Sequence, residues 1–143
     1  IDHIIKKLNL KPNQKVLDIG SGWGSLAIEI AKKTQCQVLG ITLSESQFEY
    51  SKKKTKQMNM SNQVEFRLCD YREVKEKFDR IVSIGMFEHV GRKFYKTFFK
   101  IFEVKSQMDY GVFNHQLILD EQKSFLFTVN FVTQSYVIFI IHL

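Results

Sequence analysis

Three sets of polar or ionisable residues in this chain follow strand-like runs, and a fourth, a lone acid, sits within one, where a side chain can act on a bound molecule. Glu88 and His89 follow the run at 78–84 after Gly85-Met86-Phe87. A carboxylate and an imidazole in that position are natural proton handlers or oxyanion positioners. Asp70 and Tyr71 follow the run at 64–68. The carboxylate can accept a hydrogen bond from a base amino group such as that of adenine, and the ring can stack on the base. Thr42 and Gln47 follow 38–42 and supply polar contacts. Asp18 sits inside the run 16–19, just before three glycines. Its carboxylate can order the amides of a turn or reach a ligand amino group. Each has a plainer reading as a turn aspartate, a helix cap or a packed tyrosine.

The glycines narrow the chemistry. Gly20, Gly22 and Gly24 stand at every second position in Val-Leu-Asp-Ile-Gly-Ser-Gly-Trp-Gly. That pattern is a strand entering a tight turn and then a helix, with backbone open enough for a flat ligand to lie against it. The dinucleotide fingerprint needs G-x-G-x-x-G, and residue 25 is Ser. Dinucleotide sites also place an acid about 20 residues on, at the end of the second strand; here that strand ends Gly40-Ile41-Thr42. Both departures favour S-adenosylmethionine (SAM), which has no pyrophosphate, over NAD.

The elements that must position these groups alternate. Residues 1–9 place Ile1, Ile4, Ile5 and Leu8 on one helical face. Strands are predicted at 15–19, 38–42, 64–68 and 78–84, and a fifth is predicted to begin at 111–113. Helices are predicted after the glycines, with Leu26, Ile28, Ile30 and Ala31 as apolar positions, from Ser44 to about residue 58, and over 92–104. Ser44 with Gln47 three residues on is a capping-box pattern. Strands alternating with helices predict an α/β, Rossmann-like parallel sheet with helices on both faces. Residues 125–143 contain no Asp, Glu, Lys or Arg. They read as two strands joined near 133–135, as sequence foreign to the domain, or as a membrane span, against which Asn130, Thr133, Gln134 and Ser135 argue.

Length and composition suit one soluble globular domain: 143 residues, 44% hydrophobic and 25% charged. The 21 basic residues against 15 acidic favour anionic partners. No basic stripe interleaved with aromatics is evident, which argues against nucleic acid. The run Lys52-Lys53-Lys54-Thr55-Lys56 reads as a solvated helix face or as attraction to anionic lipid headgroups. Cys36 and Cys69 lack metal-type spacing and read as small buried residues in a reducing compartment. The chain starts with Ile and carries no secretory signal pattern, so a fragment or processed chain is expected.

Together VLDIGSGWG (16–24), GITLSESQ (40–47), DYRE (70–73) and FDRIVSIGMFEHVG (78–91) resemble the cyclopropane-fatty-acyl-phospholipid synthases and mycolic acid cyclopropane synthases. The resemblance covers about residues 1–104, with an echo at 111–115. It implies methyl transfer from SAM to the double bond of an unsaturated phospholipid acyl chain, by a cytosolic enzyme that visits the membrane surface. It implies SAM contacts from Gly20, Thr42, Leu43, Gln47, Tyr71 and Ile84, with Asp18 and Gly22 shaping the loop. It implies a bicarbonate base held by Glu88, with His115 in the place of a second family residue. A SAM-binding core over 1–115 and a C-terminal segment over 116–143 are expected. Related plant amine methyltransferases carry similar FEH-type motifs, so another C- or N-methyltransferase is the competing reading. A SAM-binding fragment without activity is a third.

Overall fold

A computed structural model of the chain describes residues 1–86, 90, 93 and 98 and the strand backbones 113–119, 124–131 and 136–142. The elements run α1 (Asp2–Leu8), β1 (Lys15–Ile19), α2 (Ser25–Thr34), β2 (Gln37–Thr42), α3 (Glu45–Gln57), β3 (Val64–Leu68), β4 (Arg80–Ile84), β5 (Phe113–Leu119), β6 (Ser124–Phe131) and β7 (Tyr136–His142). The helix expected over 92–104 lies outside the described residues apart from 93 and 98.

The apolar runs become strands because they are buried on both faces, as parallel strands require. Alternation along each strand divides the core in two. Val16, Val38, Val64 and Val82 pack with Ala27, Ile28, Ile30 and Ala31 of α2 and with Leu8 of α1. Leu17, Ile19, Leu39, Ile41 and Ile81 pack on the other face with Val74, Phe78 and Phe98. Ile28, Ile30 and Ala31 are buried as expected of α2; Ala27 joins them fully buried, while Leu26 only borders the cluster. Ile1 is 49% exposed instead of joining the buried side of α1. Arg80, itself buried, ties α1 to β4 by donating from Nε to the Leu8 carbonyl at 3.0 Å.

The sheet order is β3-β2-β1-β4-β7-β6-β5. The first four strands are parallel, as expected. β7 is parallel to β4, but β5–β6 and β6–β7 are antiparallel, so this half of the sheet is mixed. The links 120–123 and 132–135 are too short for the crossover of a dozen or more residues that parallel neighbours need. The charge-free tail therefore forms the two strands read from its β-branched and aromatic content, β6 and β7. Among the described residues no helix is long and apolar enough to cross a membrane.

Candidate functional site

The parallel strands β1, β2 and β4 end together, and their carboxyl ends open into a cleft of about 480 Å³. This is where open α/β sheets bind ligands, and small-molecule sites span about 300–1,000 Å³. Gly20 and Gly22 from the turn after β1, Thr42, Leu43 and Gln47 from the β2–α3 link, Tyr71 after β3 and Ile84 at the end of β4 all line it. Seven residues expected at the site thus meet in one place. Ile19, Ile41, Ser44, Cys69, Gly85 and Met86 line it as well. Ser44 is read from the sequence as a cap and Cys69 as a small buried residue; the others carry no chemical signal in the sequence. Gly85, at φ 71°, carries the signal of a turn at the end of β4.

The turn after β1 is held without Asp18. The Gly20 and Ser21 amides both donate to the Ile41 carbonyl, at 3.0 and 2.9 Å, and the Gly24 amide donates to the Ser21 carbonyl. Gly20 has φ 77°, and a Cβ there would lie 2.7 Å from Cβ of Met86. A Cβ on Gly22, at φ 54°, meets nothing within 4 Å. The backbone of Gly22 therefore faces open space along the cleft. The ring of Phe66 fills the space that a Cβ on Gly24 or Gly40 would take, at 2.6 and 2.5 Å. Phe66 on β3 thereby supports the turn from below, a role the sequence does not signal.

Asp18 is 2% exposed and does not line the cleft. Alternation puts it on the Val16 face, and its lateral neighbours in register are Gly40 and Val82. Its Oδ2 is buried with no hydrogen-bond partner among the described residues. Burial pushes its carboxyl up to about 7.

At the β2–α3 link, the Thr42 hydroxyl donates to Oε1 of Gln47 at 2.9 Å and accepts from the Ser44 amide at 3.1 Å. Oγ of Ser44 accepts from the Gln47 amide at 3.5 Å. One half of the expected capping box is therefore formed. In the other half Thr42 replaces Gln47, whose side chain turns to the cleft. Leu43 is 75% exposed.

Asp70 is not among the lining residues. Arg72 grips its carboxylate with Nε and a terminal nitrogen, both at 2.8 Å, and the Arg72 amide adds a third bond at 2.8 Å. These bonds hold the Asp70 carboxyl below the usual carboxylate range. Tyr71 packs edge to face on Phe98, with centroids 5.1 Å apart. Burial pushes the Cys69 thiol up, away from thiolate chemistry.

Glu88 and His89 lie outside the described residues. His115 is on β5, at the far edge of the sheet. Through Val129 and Val137 its register is level with Ile81, near the start of β4. Three strand spacings, about 14 Å, separate that backbone position from β4.

A second cleft, about 310 Å³, is bordered by Lys15 and Gln37 at the opposite ends of the strands. On its wall Arg67 is paired with Glu65 and Glu76. Among the described residues no three His, Cys, Asp or Glu side chains are grouped to hold a metal.

Known proteins share this arrangement. The family described as mycolic acid cyclopropane synthetase matches residues 1–139. The cyclopropane-fatty-acyl-phospholipid synthase of Escherichia coli (strain K12) is 44% identical over 98 residues, 68% of this chain and 25% of that protein. This chain thus spans about a quarter of that relative's length. The crystal structure of mycolic acid cyclopropane synthase CmaA1 complexed with SAH and CTAB superposes with a TM-score of 0.71 at 31% identity, over 81% of this chain and 41% of that one. Coclaurine N-methyltransferase, bound to N-methylheliamine and SAH, superposes with a TM-score of 0.69 at 31% identity, over 81% and 34%. With the glycine turn, the cleft at the strand ends and a match across nearly the whole chain in agreement, this chain belongs to the mycolic acid cyclopropane synthetase family.

Proposed function

We propose that the cleft binds SAM and that the protein to which this chain corresponds transfers a one-carbon unit to the double bond of an unsaturated phospholipid acyl chain, giving a cyclopropane fatty acid. The observation that carries the reading is the convergence of Gly20, Gly22, Thr42, Leu43, Gln47, Tyr71 and Ile84 on one cleft at the strand ends. The residues fit the cofactor. The open backbone at Gly22 leaves room for a ligand against the turn. Gln47, with its Oε1 bonded to Thr42, keeps its amide group for hydroxyls of a ribose. Ile84, Tyr71 and Leu43 supply apolar surface for a flat base. When bound, SAM supplies an electrophilic sulfonium methyl group.

The chain's own residues bind and exclude water. Ile19, Ile41, Ile84 and Met86 make the inner wall apolar, and an electron-poor centre developing on an acyl chain needs a site from which water is kept out. Bicarbonate is the base implied by the family resemblance, with Glu88 and His115 as its holders. Glu88 lies outside the described residues and the backbone of His115 lies three strands from β4, so no step is drawn through bicarbonate. Glu88 is the residue to which this reading gives the proton-handling role.

The likeness to coclaurine N-methyltransferase favours one competing reading, methyl transfer to an amine. Calorimetry with S-adenosylhomocysteine tests the cofactor half: saturable binding, weakened in Gly20→Ala, is expected. Incubation with labelled SAM and either an unsaturated phospholipid or an amine tests the acceptor half. A gain of one CH₂ in the lipid is expected from the full-length protein, and label appearing only in the amine would sink the lipid reading.

A further inference from the structure

One exposed patch has no part in the cleft's polar contacts. Trp23, in the glycine turn, is 52% exposed and Tyr50, on α3, is 49% exposed. Their rings meet edge to face with centroids 5.2 Å apart. Lys54, one turn after Tyr50, holds its Nζ 5.8 Å from the centre of that ring. Lys52 stands in the same way 5.3 Å from the ring of Phe48. No aromatic–basic stripe is evident along the sequence because the partners are four residues apart; winding residues 45–57 into a helix stacks them on one another. The acids of α3, Glu45 and Glu49, lie in its first half, and Lys52, Lys53, Lys54 and Lys56 fill the second. Trp23 follows Gly22, which lines the cleft, so the patch borders the cleft's rim.

The geometry points to this face, Trp23 and Tyr50 with Lys53 and Lys54, as the surface that docks on an anionic phospholipid bilayer. The inference rests on the lipid reading above and adds where the membrane sits. Trp and Tyr combine an apolar ring with a polar tip and settle at the headgroup level. Lysines beside them are drawn to anionic lipid, each raising the partition about fivefold near the surface. The net charge of +6 has the matching sign. Docking here brings the bilayer to the rim of the cleft, beside the exposed Leu43.

Trp23 is the only tryptophan in the 143 residues, so its emission reports on this face alone. The chain is titrated with vesicles of mixed phosphatidylglycerol and phosphatidylcholine, with phosphatidylcholine vesicles, and with polyuridylate. A blue shift with the anionic vesicles, quenching by brominated acyl chains and reversal by high salt are expected. Lys53→Glu with Lys54→Glu should weaken the partition at least tenfold, with the circular dichroism spectrum unchanged. Vesicles that pellet the chain while Trp23 emission stays put would overturn the docking face and leave the lipid reading intact. No pelleting and no shift would overturn it too, as would a shift with polyuridylate alone. A shift with anionic vesicles alongside no methylation of detergent-dispersed phospholipid would uphold the docking face and count against the lipid substrate.

Discussion

Replacing Asp18 by asparagine tests whether the buried carboxyl is held neutral by the fold. The native group titrates at about 7, against 3.8 in an unfolded chain, because burial penalises its charged form. Between those values the unfolded chain has lost the proton and the native chain keeps it. Native stability therefore falls as pH rises from about 4 to 7, and is fully retained only below the unfolded value. Each pH unit in that window is worth about 1.4 kcal/mol, so the window carries roughly 4 kcal/mol at most. The carboxamide of Asp18→Asn does not titrate. It still needs a partner where Oδ2 has none among the described residues, which costs about 1–3 kcal/mol at every pH. The informative quantity is therefore the slope. Urea unfolding of both proteins at pH 4, 5, 6 and 7, followed by circular dichroism, measures it. The stability of Asp18→Asn relative to the parent should rise by several kcal/mol from pH 4 to 7. A difference that stays constant with pH would refute the reasoning and show that the carboxylate finds a partner in the native protein.

Three more outcomes follow from the geometry. Gly20→Ala forces a side chain into φ 77° and within 2.7 Å of Cβ of Met86; S-adenosylhomocysteine affinity by calorimetry should drop at least tenfold, and stability should fall by about 1–2 kcal/mol. Phe66→Ala empties the space between Gly24 and Gly40; denaturant unfolding should show a loss of about 3–5 kcal/mol, and a smaller loss would mean that the turn collapses onto the vacancy. Glu88→Gln in a full-length protein should leave cofactor affinity nearly intact and lower turnover, so equal losses in calorimetry and in product formation would contradict a proton-handling role.

Local pattern made most of the individual elements legible. β1 at 15–19 and β3 at 64–68 have the bounds expected of them, and Ser44 starts α3 as its cap. These features depend on residues a few positions apart, which the sequence displays directly. Seven of the nine expected cofactor residues line the cleft for a related reason: each lies at a strand end, in the link after it or in the first turn of the next helix, and parallel strands bring such ends together. Asp18 and Asp70 are the exceptions, and side-chain surroundings decide both. Asp18 is turned by the strand's alternation onto the buried face, and Asp70 is taken by Arg72 two residues on.

Spacing along the chain encodes the elements from α1 to β4, the place of the glycine turn and the family that the motifs resemble, whereas the tail at 125–143 stayed open between strands and other readings. Only the tertiary structure decided that β7 rather than β5 stands beside β4, that His115 lies across the sheet from the cleft, that Phe66 supports the turn and that Trp23 meets Tyr50 at the surface. Each of these joins residues far apart in the chain, and long-range pairing is set by how whole elements share hydrogen bonds and bury their faces, which no local spacing records.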